Sequence, residues 1–127
     1  MASNVYQDVS YAAMRFCAGG LFAFHGAQKI FGLFGGKVMT GSPKMLAAGV
    51  IELGGGLLIA VGLFTAVAAF IASGEMAVAY FTVHAKGGFW PILNGGELAV
   101  LYCFVFLYIV WQGSGRFSLD RLIRRKI

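Results

Sequence analysis

His25 and Lys29 stand four residues apart at the end of a long apolar run, in Phe24-His25-Gly26-Ala27-Gln28-Lys29-Ile30-Phe31-Gly32. A titratable or charged group beside hydrocarbon is costly, so such a side chain faces a bundle interior, a partner or a wet cavity. Glu52, His84, Asn94 and Glu97 are further polar residues set in or against apolar stretches. Together the six offer an ammonium, two imidazoles, an amide and two carboxyls, groups that donate hydrogen bonds to a carbonyl and pass protons. Their spacing does not mark a metal site, since haem or chlorophyll ligation needs ring nitrogens converging on one metal, and interfacial or hydrogen-bonded histidine is the commoner role.

The elements that position these groups follow from composition. Of 127 residues, 59% are hydrophobic and 12% charged, and the mean hydropathy is +0.79. A soluble domain of this size could not hide that much apolar surface, so the chain belongs in a membrane as one domain. Ten basic residues against five acidic ones give +5, and the excess lies in loops and the tail, a pattern of topology and anionic-lipid contact rather than of a nucleic-acid-binding face. Cys17 and Cys103 lie far apart, without CxxC or Cys/His spacing, and read as core thiols. No basic n-region marks a cleaved signal peptide.

Four apolar segments of bilayer length predict an all-α membrane protein, a four-transmembrane-helix bundle with spans at about 11–31, 43–64, 66–84 and 94–111. Pro43 suits the first turn of the second helix, Thr65 marks the tightest connection, and Asn94 is placed to cap the fourth helix. Trp90 and Trp111 read as interfacial anchors. Residues 115–127 form a short basic amphipathic segment, with Ser118 as its cap and Arg116, Arg121, Arg124, Arg125 and Lys126 turned to lipid or a partner. Four spans place both termini on one side. Arg15 and the tail's five basic residues face Lys29, Lys37, Lys44 and Lys86 on the other, which favours cytoplasmic termini.

Each helical residue advances about 1.5 Å, so depth follows from direction. His25 and Lys29 end an ascending helix, Glu52 lies roughly 14 Å down a descending one, His84 ends the third, and Asn94 and Glu97 open the fourth. A shared polar level is therefore expected on the side away from the termini. Gly49, Gly55 and Gly56 flank Glu52 and would let a neighbouring helix approach. Arg15 and Glu75 are expected lower, Arg15 snorkelling to headgroups.

The motifs resemble the DoxX family of small four-helix membrane proteins over nearly the whole chain. The resemblance rests on Arg15 with Gly19-Gly20, His25-Gly26 and Lys29 with Gly32; on Glu52, Gly55-Gly56, Gly62 and Thr65; on His84 with Gly88-Phe89-Trp90 and Asn94-Gly95-Gly96-Glu97; and on Gly113-Ser114-Gly115-Arg116 with Ser118-Leu119-Asp120. It implies a subunit of the bacterial cytoplasmic membrane associated with redox complexes, such as thiosulfate:quinone oxidoreductase, terminal quinol oxidases, or an assembly with a sulfurtransferase and a superoxide dismutase. No fused soluble portion is expected, so enzymatic partners would be separate chains.

Two functions follow as expectations. In one, the chain is part of a larger membrane complex and meets quinone, with His25 and Lys29 as donors, Glu97 and Glu52 passing protons, and Phe22, Phe24, Phe31 and Trp90 lining the opening. Electrons would come from a partner's cofactor. In the other, it is a non-catalytic accessory subunit of a respiratory or photosynthetic complex, its polar cluster only locking the bundle and its aromatics meeting lipid, pigment or partner. A transporter is disfavoured because no pair of broken helices recurs in two halves.

Overall fold

A computed structural model describes residues 3–124, which fold into helices and connecting turns with no strand among them. Helix α1, Val5–Phe31, begins six residues ahead of the expected span because Asn4 and Gln7 form a capping box: each side chain accepts the other's backbone N–H, at 2.9 and 3.1 Å. It ends at Gly32, whose φ of +68° suits glycine. Helix α2, Pro43–Val61, and helix α3, Thr65–Gly87, are both long and apolar enough to cross a membrane. They are joined by a turn in which Gly62 and Phe64 have positive φ. The fourth segment differs from expectation. Pro91–Asn94 is a separate short helix, α4, and α5 runs Glu97–Gln112. Asn94 does not cap α5 as its first-turn residue; its side-chain oxygen accepts the Gly96 N–H at 2.8 Å, within the bend between the two. Helix α6, Leu119–Arg124, follows Ser118, whose hydroxyl accepts the Arg121 N–H at 3.3 Å.

Two close helix pairs make the bundle. Helix α3 presents Ala68, Ala69 and Ala72 to α5, and around them Phe22, Ile59, Tyr102, Phe106 and Ile109 form the core. Helix α1 lies on α2 along a glycine seam. A Cβ on Gly19 or Gly56 would fall 2.6 Å from the facing backbone, and one on Gly26 would collide with Leu53 N. Such small residues let backbones meet in lipid, where packing rather than hydrophobicity holds helices together. Gly49 belongs to the seam, whereas Gly55 faces open space and does not.

At one end, the start of α1, the α2–α3 turn and the C-terminal segment are bolted together. Arg15 is buried, and its guanidinium donates to the carbonyls of Ile59 at 2.9 Å, Phe117 at 2.8 Å, Ala60 at 3.4 Å and Ser114. It does not snorkel: four carbonyls freed at helix ends and turns supply the acceptors that headgroups would otherwise provide. Asp120 caps α3 from afar, accepting the N–H groups of Phe64 at 2.9 Å and Thr65 at 3.1 Å and the Thr65 hydroxyl at 2.9 Å. Burial works against its charge, but these donors and Arg124 outweigh it and hold the carboxyl below the ordinary range. Tyr11 donates to Gly113 O at 2.6 Å, and Arg116 pairs with Asp8 at 3.5 Å.

Arg116 is thus partly engaged within the chain, while Arg121 and Arg124 are exposed; Arg125 and Lys126 lie outside the described residues. Trp90 and Trp111 are exposed near opposite ends. Cys17 is exposed rather than in the core, and Cys103 is half-buried beside the Ser73 hydroxyl.

Candidate functional site

At the other end the helices part around a cavity of about 650 Å³, walled by α1, α2, α3 and α5. Its lining is mostly aliphatic, with the rings of Phe22 and Tyr102 among it. These rings pack with Phe106, Phe22 to Phe106 at 4.8 Å and Phe22 to Tyr102 at 5.3 Å between centroids, and His25 stands edge-on to Tyr102 at 6.2 Å.

Lys29 spans from α1 to α2, its Nζ 2.6 Å from both Glu52 carboxylate oxygens. Glu52 is 2% exposed and Lys29 22%. Both are where the glycine seam puts them. Glu52 shares the α1-facing side of α2 with Gly49 and Gly56, three residues before and four after, so the backbones are close enough for the lysine to reach. Glu52 also sits in a π-helical turn, Ile51–Gly55. Such a turn widens the helix by one residue and recurs at functional sites, and the poor helix formers Gly54 and Gly55 ease it.

Glu75, on α3, completes the group. Its carboxyl stands near that of Glu52 on the cavity wall, and its Oε2 is buried with no hydrogen-bond partner among the described residues. One lysine against two carboxyls balances charge when the pair holds a single proton, and a buried oxygen without a donor is costly to leave so. The group can therefore bind, hold and hand on one proton, and can donate or accept a hydrogen bond toward the cavity.

The six residues expected to share a level divide. His25, Lys29, Glu52 and His84 border the cavity. Glu97 is exposed and does not border it, because α5 buries Ala99, Tyr102, Phe106 and Ile109, and Glu97 stands two residues before Ala99, about 200° round the helix. Asn94 serves the neighbouring loop instead, donating to Gly88 O at 2.8 Å and to the Tyr80 hydroxyl at 3.3 Å, while its own carbonyl lies 3.4 Å from His84 Nδ1. Of the expected aromatic lining only Phe22 takes part; Phe24, Phe31 and Trp90 are exposed on the outside.

Glu75, Tyr102 and Lys44 were missed. A signal for the first existed: Glu52 lies 11 residues before Leu63 and Glu75 12 after it, and two antiparallel helices joined by a tight turn set such positions side by side. His84 closes a second π-helical turn, Tyr80–His84, in the last part of α3 beside the cavity.

The comparisons with known proteins agree on kinship. The DoxX family profile matches residues 11–85, which carry His25, Lys29, Glu52, Glu75 and His84. The chain is 44% identical over 128 residues to an uncharacterized protein of Haemophilus influenzae, covering 95% of this chain and 96% of that one. It is 32% identical over 68 residues to a second uncharacterized protein of the same organism, covering 54% of this chain and 45% of the other. No solved structure matches it. With more than half its length matched by the profile, and its conspicuous buried residues inside that stretch, the chain belongs to the DoxX family of membrane proteins.

Proposed function

We propose that the chain crosses a bacterial cytoplasmic membrane four times, through α1, α2, α3 and α5, with both termini cytoplasmic, and serves a redox complex as the subunit that holds a quinone head. The carrying observation is the cavity of about 650 Å³ with Lys29, Glu52 and Glu75 on its wall. Its size is that of a small-molecule site, and an apolar lining with a few convergent polar groups is the usual make-up of one. Exposed Trp90 and Trp111 near opposite ends are placed as interfacial belts, and α5, at about 24 Å, spans most of a hydrocarbon core.

A bound quinone would supply two-electron chemistry with electrons from a partner; the chain's own residues bind and position. The aliphatic walls and Phe22 exclude water from the ring. The Glu52–Glu75 pair holds a proton that Glu75 Oε2 presents to a carbonyl, and Lys29 occupies both Glu52 oxygens, so that the carboxyl with an oxygen to spare is Glu75. His25 and His84, half-buried on the cavity border, are further groups able to pass protons.

The test is quinone-dependent turnover of the assembled complex carrying Glu75→Gln, with Glu97→Gln as control. Turnover lost on Glu75→Gln at unchanged abundance, and kept on Glu97→Gln, is expected. Unchanged turnover on Glu75→Gln overturns the role, and a complex that keeps full activity without the chain makes it an accessory subunit.

A further inference from the structure

We propose that the cavity is loaded sideways from the bilayer, through the opening between α2 and α3, by a lipid-soluble molecule with a hydrogen-bonding head and a long apolar tail. The head's identity as a quinone rests on the preceding reading; the route does not.

The route follows from how α2 and α3 diverge. Near their shared turn they pack together, Ile51–Val61 against α3, but the upper part, Pro43–Val50, packs chiefly on α1. The gap this leaves is the side of the cavity. Its α3 rim consists of Ile71, Val78 and Val83, which line the cavity and are yet 48%, 56% and 52% exposed. Side chains that face a cavity and the outer surface at once mark an opening, and these three are aliphatic, suited to hydrocarbon and not to water.

Across the rim one polar contact joins the helices: Lys44 Nζ donates to Thr82 Oγ1 at 3.2 Å. Thr82 also donates to Val78 O on its own helix at 2.7 Å, so the lysine can leave without stranding it. The Arg15 end offers no way in, because Ile59, Phe106 and Ile109 are fully buried there and the Arg15 carbonyl cluster lies beyond them.

Glu75 lies on the rim helix itself, one turn from both Ile71 and Val78, and Lys29 and Glu52 stand behind it on α1 and α2, so the polar group closes the inner end of the gap. A ligand arriving sideways thus meets Glu75 with its head, Glu52 and Lys29 behind it, while its tail trails past Val78 and Val83 into lipid. A fully polar solute would have to cross the hydrocarbon rim, and a headless chain would leave Glu75 Oε2 unanswered.

The test uses nanodiscs of phosphatidylcholine brominated on its acyl chains and the Tyr102→Trp variant in a Trp90→Phe/Trp111→Phe background. Quenching at position 102 by brominated lipid, relieved when Val78→Phe or Ile71→Phe narrows the rim without adding a second tryptophan, is expected; no quenching overturns the route. In ordinary nanodiscs, Val78→Trp should weaken decylubiquinone binding by roughly tenfold while ubiquinone-0, a tail-less head, changes little. Rim-dependent quenching without any quinone binding sinks the quinone reading but keeps the route. Rim-dependent quenching with Val78→Trp leaving decylubiquinone affinity unchanged makes the cavity a slot for lipid chains and overturns the head-and-tail ligand.

Discussion

Replacing Lys29 by Met tests whether the Lys29–Glu52 pair is desolvated, on which the proposed chemistry depends. At 2.6 Å and an effective dielectric of about 20, two unit charges attract by about 6 kcal/mol. Desolvation cancels much of this, yet taking away one partner of a buried pair costs about 3–5 kcal/mol, because the other is left uncompensated. Here the loss falls at the upper end. Glu52 is 2% exposed and Glu75 lies against it, so Lys29→Met leaves two carboxyls facing each other with no cation. Glu52→Gln is milder, at about 1–2 kcal/mol, since Lys29 retains some exposure and its ammonium can turn toward water. In the double variant the stranded charge is gone, and the two losses should fall short of adding by about 2 kcal/mol, roughly 30-fold in the unfolding equilibrium. Reversible unfolding in mixed detergent and SDS micelles, followed by circular dichroism, measures all four proteins. Losses that add to within about 0.5 kcal/mol, the behaviour of independent sites, would refute a desolvated pair.

Arg15→Met should cost about 3–5 kcal/mol in the same assay, and Arg15→Lys should recover little, because one ammonium cannot replace a fork that serves carbonyls on two segments. Asp120→Ala should cost about 1–2 kcal/mol as a lost helix cap. The folded Asp120 titrates below its ordinary value, so its contribution is complete above the ordinary carboxylate range and fades as pH falls through the folded value; acid unfolding of the native protein should show this and that of Asp120→Ala should not. Gly26→Ala should lose about 1–3 kcal/mol by forcing α1 and α2 apart, whereas Gly54→Ala, with open space around it, should be neutral or slightly stabilising; thermal unfolding separates them.

What could be read from residue order was position along a helix axis. Counting rise per residue brings His25, Lys29, Glu52 and His84 toward one depth, and the structure has all four bordering the cavity. Position around the axis was not legible in the same way. Glu97 has a suitable depth but the wrong azimuth, and only the stripe Ala99, Tyr102, Phe106 and Ile109 reveals it. In an all-apolar helix such as α5 that stripe carries no contrast, because lipid-facing and core-facing residues are alike. Glu75 was misplaced for a different reason: its depth was judged from the membrane and not from the α2–α3 turn, about which it nearly mirrors Glu52. Arg15 shows the limit of residue-type rules. Long basic side chains near a span's end commonly reach for headgroups, but the carbonyls that capture this one come from Ile59, Ala60, Ser114 and Phe117, far along the chain.

The two ends of the bundle put polar groups in lipid under opposite rules. Around Arg15 and Asp120, polar atoms meet partners on other segments, and the turn they hold is tight enough that a Cβ on Gly62 would fall 2.5 Å from Ser118. Around Glu52 and Glu75 the count is incomplete by one buried oxygen, both flanking helices take π-helical turns, and α2 departs from α3. Buried polar groups are overwhelmingly satisfied in native proteins, and departures from local rules gather where function requires them. A cluster meant only to hold helices together could take the form found at the Arg15 end. The same short chain builds such a lock at one end and leaves one oxygen of Glu75 without a partner among the described residues beside an open cavity at the other, and the role proposed for Glu75 rests on that asymmetry.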